Sequence, residues 1–278
     1  MIIRTLKSTA ALGVFAALVL LFAPPSFAQS ADDDAALQPA EPDYRVINLP
    51  TTLRLPLHKS SFELTHRFYG NLRHGDFDDQ LSNLFGIDEG AAVGFEYRFA
   101  PIRHLEIAAY RTAIDKTFQF YAKWDVLHQG AGMPVSISPI ISIEGGNNFR
   151  ERYAPSIGAT ISRQIDDVAA VYVVPMFSHN VAALLNQTLG VTRNTFYAGL
   201  GGRLRIRPTV YLSAEVSPRI AGFVVNTAEY GFAIEKRIGA HVFQLNFSNS
   251  SSTTFAQIAT DGQAEDLQMG FNLTRKFF

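Results

Sequence analysis

EDLQMGFNLTRKFF, residues 265 to 278, alternates apolar and polar side chains up to the last residue of the chain. Leu267, Met269, Phe271, Leu273 and Phe277 share one face, Gln268, Gly270, Asn272, Thr274 and Lys276 the other, and Arg275 alone breaks the apolar set. Period-two alternation predicts a strand with one apolar side. Phe278 itself falls on the parity of Thr274 and Lys276.

Working backward, the same rhythm recurs at 61–69, 91–99, 105–112, 116–127, 135–144, 153–163, 167–177, 194–206, 209–217, 229–238 and 241–249. With the terminal strand this gives about twelve, each close to the length that a tilted strand needs to cross a membrane. Short connectors at 100–104, 128–134, 164–166, 207–208 and 239–240 alternate with long ones such as 70–90, 178–193, 218–228 and 250–266. Barrels of outer membranes have short periplasmic turns and long outer loops. The connection at 113–115 is short although this order places it outside. A terminal amphipathic strand ending in Phe resembles the C-terminal signature of bacterial outer-membrane β-barrels, which implies an antiparallel transmembrane barrel. A soluble β-sandwich is the other architecture that produces half-buried alternating strands.

Residues 1–28 read as a cleaved signal peptide. Arg4 and Lys7 precede an uncharged run, the strongly apolar part of which, Ala10 to Ala23, falls short of the ~20 residues a membrane helix needs. Taking those two from the 24 basic residues leaves 22 against 25 acidic ones, a balance that argues against nucleic-acid partners. Hydrophobic content is 47%, yet beyond Ala28 the apolar residues are spread at period two, which in lipid means strands. The chain has no Cys, and therefore no disulfides or thiolate chemistry. Residues 29–56 are Asp- and Pro-rich with little periodicity and read as a mobile periplasmic leader, with the β-barrel following over 57–278.

If Phe62, Leu64, Phe95, Tyr97, Phe120 and Trp124 meet lipid, the opposite parity lines the interior. That side carries Glu63, Arg67, Glu96, Arg98, Glu106, Lys123, Asp125, Glu144, Arg203, Arg205, Glu215, Glu235, Arg237 and Lys276. A charge facing lipid at the bilayer midplane costs ~2–4 kcal/mol for Arg or Lys, so the shared parity supports an inward assignment. Arg111, Arg163 and Lys236 fall on the lipid parity, near strand ends where long side chains can snorkel. These residues are pore-lining candidates if the lumen is hydrated. They are internal struts if ion pairs and hydrogen bonds fill it. His66 lies on the apolar face, as a catalytic His on a lipid-facing barrel wall would, but no Ser-bearing nucleophile motif accompanies it. The other histidines lack metal-ligand spacing, and the acidic loop GDFDDQ (75–80) lacks the EF-hand pattern, so no metal or cofactor is expected.

FELTHRFYGNL, and FGIDEGAAVGFEYRFAPIRHLEIAAYRTAIDKTFQFYAKWDVLHQ after it, carry an HRF, an FGID, a turn into an LEI strand and a DKT before an aromatic strand. Over roughly 55–130 the chain resembles a family of bacterial β-barrels known as domain of unknown function 5777. That resemblance implies a barrel and brings no activity or site residues. The expected function is passage of small polar solutes through an outer-membrane barrel. A structural or partner-binding barrel without an open pore and a lipid-acting enzyme are the alternatives. Expected partners are outer-membrane lipid, the barrel assembly machinery and the solutes themselves.

Overall fold

The computed structural model describes residues 39–86, 89–130, 132–181, 194–222, 227–260 and 262–278. The signal sequence read at 1–28, the leader up to residue 38 and most of the 178–193 loop lie outside the described residues.

Twelve strands follow one another: β1 (Ser60–Phe68), β2 (Ala91–Ile102), β3 (Leu105–Thr112), β4 (Phe118–Trp124), β5 (Ser136–Gly145), β6 (Glu151–Ile165), β7 (Ala169–His179), β8 (Asn194–Arg207), β9 (Val210–Ser217), β10 (Glu229–Ile238), β11 (His241–Ser248) and β12 (Gln268–Phe277). β9 runs on past Pro218 into Arg219–Gly222 against the same partner, with Arg219 opposite Tyr197 as Val216 is opposite Leu200. Every strand pairs antiparallel with its neighbours in sequence, and β12 returns to β1 with Leu273 opposite Leu64. The ladder is thus a closed ring without edges, the condition for satisfying every backbone group in lipid.

Aromatic and β-branched residues on alternate positions suit these strands to a pleated wall with one apolar side. Burial alternates along each strand, as in β7, and the sides separate by polarity. Outward-facing Phe95, Tyr97, Ile141 and Ile157 are 46%, 51%, 60% and 59% exposed, an apolar band that only lipid would cover. Two of the connections carry local structure of their own. The short 113–115 connection is a single turn in which Asp115 and Lys116 adopt left-handed backbone, at φ 50° and 49°. In the first long loop, Asp76 and Asp79 form a capping box for α1 (Phe77–Leu84), which gives the acidic GDFDDQ stretch a structural role.

The mobile-leader reading fails from residue 39 onward. Ala40, Tyr44, Val46, Ile47, Leu49 and Leu53 are buried, as are Glu41, Asp43, Arg45 and Asn48 between them. This segment is a hairpin inside the barrel: Val46 donates to Leu49 at 2.8 Å, Thr51 to Tyr44 at 2.9 Å, and Arg45 bridges to Pro50. The physical reason is compositional. Residues 29–43 are acidic and Pro-rich, but 44–55, YRVINLPTTLRL, hold apolar side chains that a solvated leader would expose.

Candidate functional site: the barrel interior

The hairpin enters at the end of the barrel that carries the short turns and both strand termini. Near that mouth Gln164 at the end of β6 donates to Glu41 at 3.1 Å, and Lys276 near the end of β12 donates to the carbonyl of Pro42. The tip, Val46 to Leu49, lies deeper, and the return leg leaves by the same mouth through exposed Leu57, His58 and Lys59 into β1. At the rim Arg54 pairs with Asp125, and His104 Nδ1 is 3.6 Å from the same carboxylate. His128 on the neighbouring turn is held below the ordinary histidine range, by burial first and then by the charge of Arg54 and by His104.

The wall holds the hairpin largely by its main chain. Glu215 accepts the N–H groups of Ile47 at 2.9 Å, Asn48 at 2.8 Å and Leu49 at 3.1 Å. Arg203 donates to the carbonyl of Arg45 at 2.6 Å, Gln244 to that of Val46, and Asn272 to that of Ile47 at 2.9 Å. Lys123 reaches the carbonyls of Thr51 and Leu53, both at 3.2 Å, and Thr160 that of Pro50 at 3.2 Å. These bonds come from wall side chains, so the hairpin adds no rung to the β-ladder.

Side-chain contacts complete the fit. Arg45 lies between Glu96, which it pairs with directly, and Glu63 at 3.3 Å, while Arg98 bonds the same two carboxylates. Two guanidinium groups thus meet two carboxylates in a buried square, the condition under which charges survive out of water. The Tyr44 ring receives three cations over its faces, Lys276 at 5.1 Å, Arg98 at 5.2 Å and Lys123 at 5.8 Å. At the tip the wall is bare where the hairpin presses on it. A Cβ at Gly199 would stand 2.5 Å from Leu49 Cδ2, and one at Gly201 3.2 Å from Val46 Cγ2.

A second insert comes from the opposite end. The chain between β11 and β12, read as a long outer loop, turns inward, and Ser252 to Ala259 are buried around α2 (Phe255–Ile258). Glu144 on β5 accepts from Thr254 Oγ1 at 3.1 Å, the Ala256 N–H at 3.2 Å and Gln119 at 3.1 Å. Phe255 and Ile258 share one buried cluster with Val46 and Leu49, and Arg45 donates to the carbonyl of Thr253 at 2.9 Å, so the two inserts meet inside the barrel.

Of the pore-lining candidates, Glu63, Arg67, Glu96, Arg98, Glu106, Lys123, Asp125, Arg203, Glu215, Glu235 and Arg237 are buried inside the wall. Arg67 bonds Asn48 and Asn272 at 2.9 and 2.8 Å, Lys123 pairs with Glu106 at 3.3 Å, and Arg203 with Glu235 at 3.0 Å. Arg205 differs: it is half-exposed and donates to the carbonyls of Pro208 and Asp167, which places it on the rim among the short turns. His66 stays on the outer face, stacked on Phe271 at 4.9 Å, with Val93 and Phe271 as its partners across the strands. The hairpin's own residues, above all Arg45 and Asn48, carry no signal of this role in the sequence, because they fall in the Asp- and Pro-rich 29–56 stretch that reads as a leader.

Comparison with known proteins agrees with this architecture. A KdgM porin solved in complex with disordered oligogalacturonate and a second KdgM porin structure are each 8% identical to this chain, with a TM-score of 0.53 over 78% of it and 99% of their own length. A NanC porin structure is 6% identical with a TM-score of 0.49, covering 79% of this chain and 99% of its own. No curated protein matches the chain. An even-stranded closed barrel with an apolar outer band belongs to the bacterial outer membrane. Residues 43–277, which take in most of the hairpin as well as all twelve strands, match the model of the membrane-bound β-barrel domain of unknown function 5777, and the chain belongs to that family.

Proposed function

We propose that the protein is an outer-membrane channel for small polar solutes that its own N-terminal hairpin holds shut, and that residues 1–28 are the signal that exports it. The observation that carries this reading is the inner wall. Charged and amide side chains that no lipid-facing surface needs are spent on a segment outside the β-ladder, both legs of which lie toward one mouth over the described residues. Withdrawal therefore breaks no rung of the ladder, and water can replace the side-chain bonds, whose net worth is ~0.5–1.5 kcal/mol for a neutral pair and ~1.5–3 kcal/mol where one partner is charged. Porin-like neighbours support the fold such a channel needs. A barrel without an open pore is favoured instead if the hairpin never leaves. Single-channel recording in planar bilayers separates the two: wild type should be mostly closed, and a variant lacking residues 39–56 should conduct. A deletion variant that keeps the heat-dependent gel mobility of a closed barrel but passes no ions would overturn the channel.

A further inference from the structure

We infer that the lumen, once vacated, is a binding site for short peptides rich in aliphatic residues, and that residues 43–53 occupy it as a built-in competitor. This rests on the channel reading, since a peptide must be able to enter. Beside the side-chain contacts of Asp43, Arg45, Asn48 and Thr52, a large part of the polar grip falls on groups that every peptide carries. Glu215 takes three successive N–H groups, and Arg203, Gln244 and Asn272 take three successive carbonyls, those of Arg45, Val46 and Ile47. A sugar chain offers hydroxyl groups but no such run of alternating amide donors and acceptors. Beside this grip, Gly199 and Gly201 leave a bare floor against which Leu49 and Val46 pack, an apolar surface that admits aliphatic side chains without specifying one.

The test uses the full chain with a protease site placed in the exposed Leu57–Lys59 segment, folded in detergent and then cut, so that the hairpin is held only by non-covalent contacts. A fluorescent synthetic peptide of residues 39–56 is then titrated in and its anisotropy followed, with unlabelled peptides as competitors. Saturable exchange is expected. A peptide that keeps Asp43, Arg45, Asn48 and Thr52 in place and scrambles its other residues should compete within about tenfold, because at those other positions the main chain is what the wall reads. N-methylation at Ile47 and Asn48, or Glu215→Gln in the barrel, should weaken competition by about 10- to 100-fold, the worth of charge-assisted bonds. The inference is overturned if only the native order competes, if N-methylation changes nothing, or if excess peptide never displaces the cut segment. The same titration on the 39–56 deletion variant provides a second reading, and a folded barrel that binds no peptide also overturns it. Peptide binding without conductance would refute the channel and leave the peptide site standing, while conductance without peptide binding would do the reverse.

Discussion

Two inserts fill this barrel, and they are held differently. The N-terminal hairpin joins β1 through exposed residues 57–59, and wall side chains grip its main chain. The 249–267 segment is tied at both ends, to β11 and β12, and its core is a capped helical turn, with Thr254 accepting from Gln257 and Glu144 from Ala256. We take the first as the movable part, because only side-chain bonds hold it to the wall, and the second, joined to a strand on either side, as the fixed one. The comparison teaches that blockage of the same lumen comes from parts of unequal freedom, so opening should follow the hairpin and not the loop.

Locking the movable part is the largest expected effect. The hydroxyls of Thr52 and Ser162 touch, and the chain has no Cys of its own, so Thr52→Cys with Ser162→Cys offers a single disulfide between hairpin and wall. Oxidised protein should show no hairpin-dependent openings in bilayer recordings and regain them on reduction. Openings that persist in the oxidised state would place the moving part elsewhere. Steric eviction should act in the opposite sense. At Gly199 a side chain would meet Leu49 at 2.5 Å, so Gly199→Val should leave the barrel closed as a ring while exposing 44–55 to added protease. The loop offers a contrast, because Glu144→Gln keeps an oxygen for Ala256 and should leave hairpin protection unchanged.

The strands were legible because their signal is local: β3 and β10 lie at 105–112 and 229–238, where alternation alone places them. Inward charge was legible too, since the lipid penalty acts on each residue separately. The hairpin was not, because its partners are remote in sequence: Ile47 to Glu215, Asn48 to Glu229, Lys276 to Pro42. Composition averaged over 29–56 argued for a mobile leader, and that average masked Tyr44, Val46, Ile47 and Leu49 within it. Phe278 shows the same limit. Its inward parity was visible, but its packing against Tyr44, Leu53, Leu55 and Ala100 needed the hairpin to be in place.

Glu215→Gln should weaken the grip on the hairpin by about 1.5–3 kcal/mol, the range for hydrogen bonds to a charged group. The amide keeps one oxygen but points an N–H at a site where three N–H groups converge, so protease cutting within 44–55 should rise roughly 10- to 100-fold without loss of the barrel. If cutting rises equally in Glu144→Gln, the two inserts move together and the contrast between them is lost.

The smallest effect concerns ions. With the hairpin out, the buried wall named among the described residues carries the carboxylates Glu63, Glu96, Glu106, Asp125, Glu144, Glu215, Glu229 and Glu235 against the cations Arg67, Arg98, Lys123, Arg203, Arg237 and Lys276. The hairpin removes no net charge as it leaves, since Glu41 and Asp43 balance Arg45 and Arg54. A pore lined by more carboxylates than cations favours cations, and because Arg98, Lys123 and Arg203 stay paired with Glu63, Glu96, Glu106 and Glu235 across the wall the preference should be slight. Reversal potentials of the 39–56 deletion variant under a salt gradient should therefore sit a little to the cation side, and Glu215→Gln should move them toward zero. An anion preference would mean that the carboxylates around Arg98 and Arg203 remain neutralised while Lys276 and Arg67, freed of Pro42 and Asn48, set the field of the open lumen.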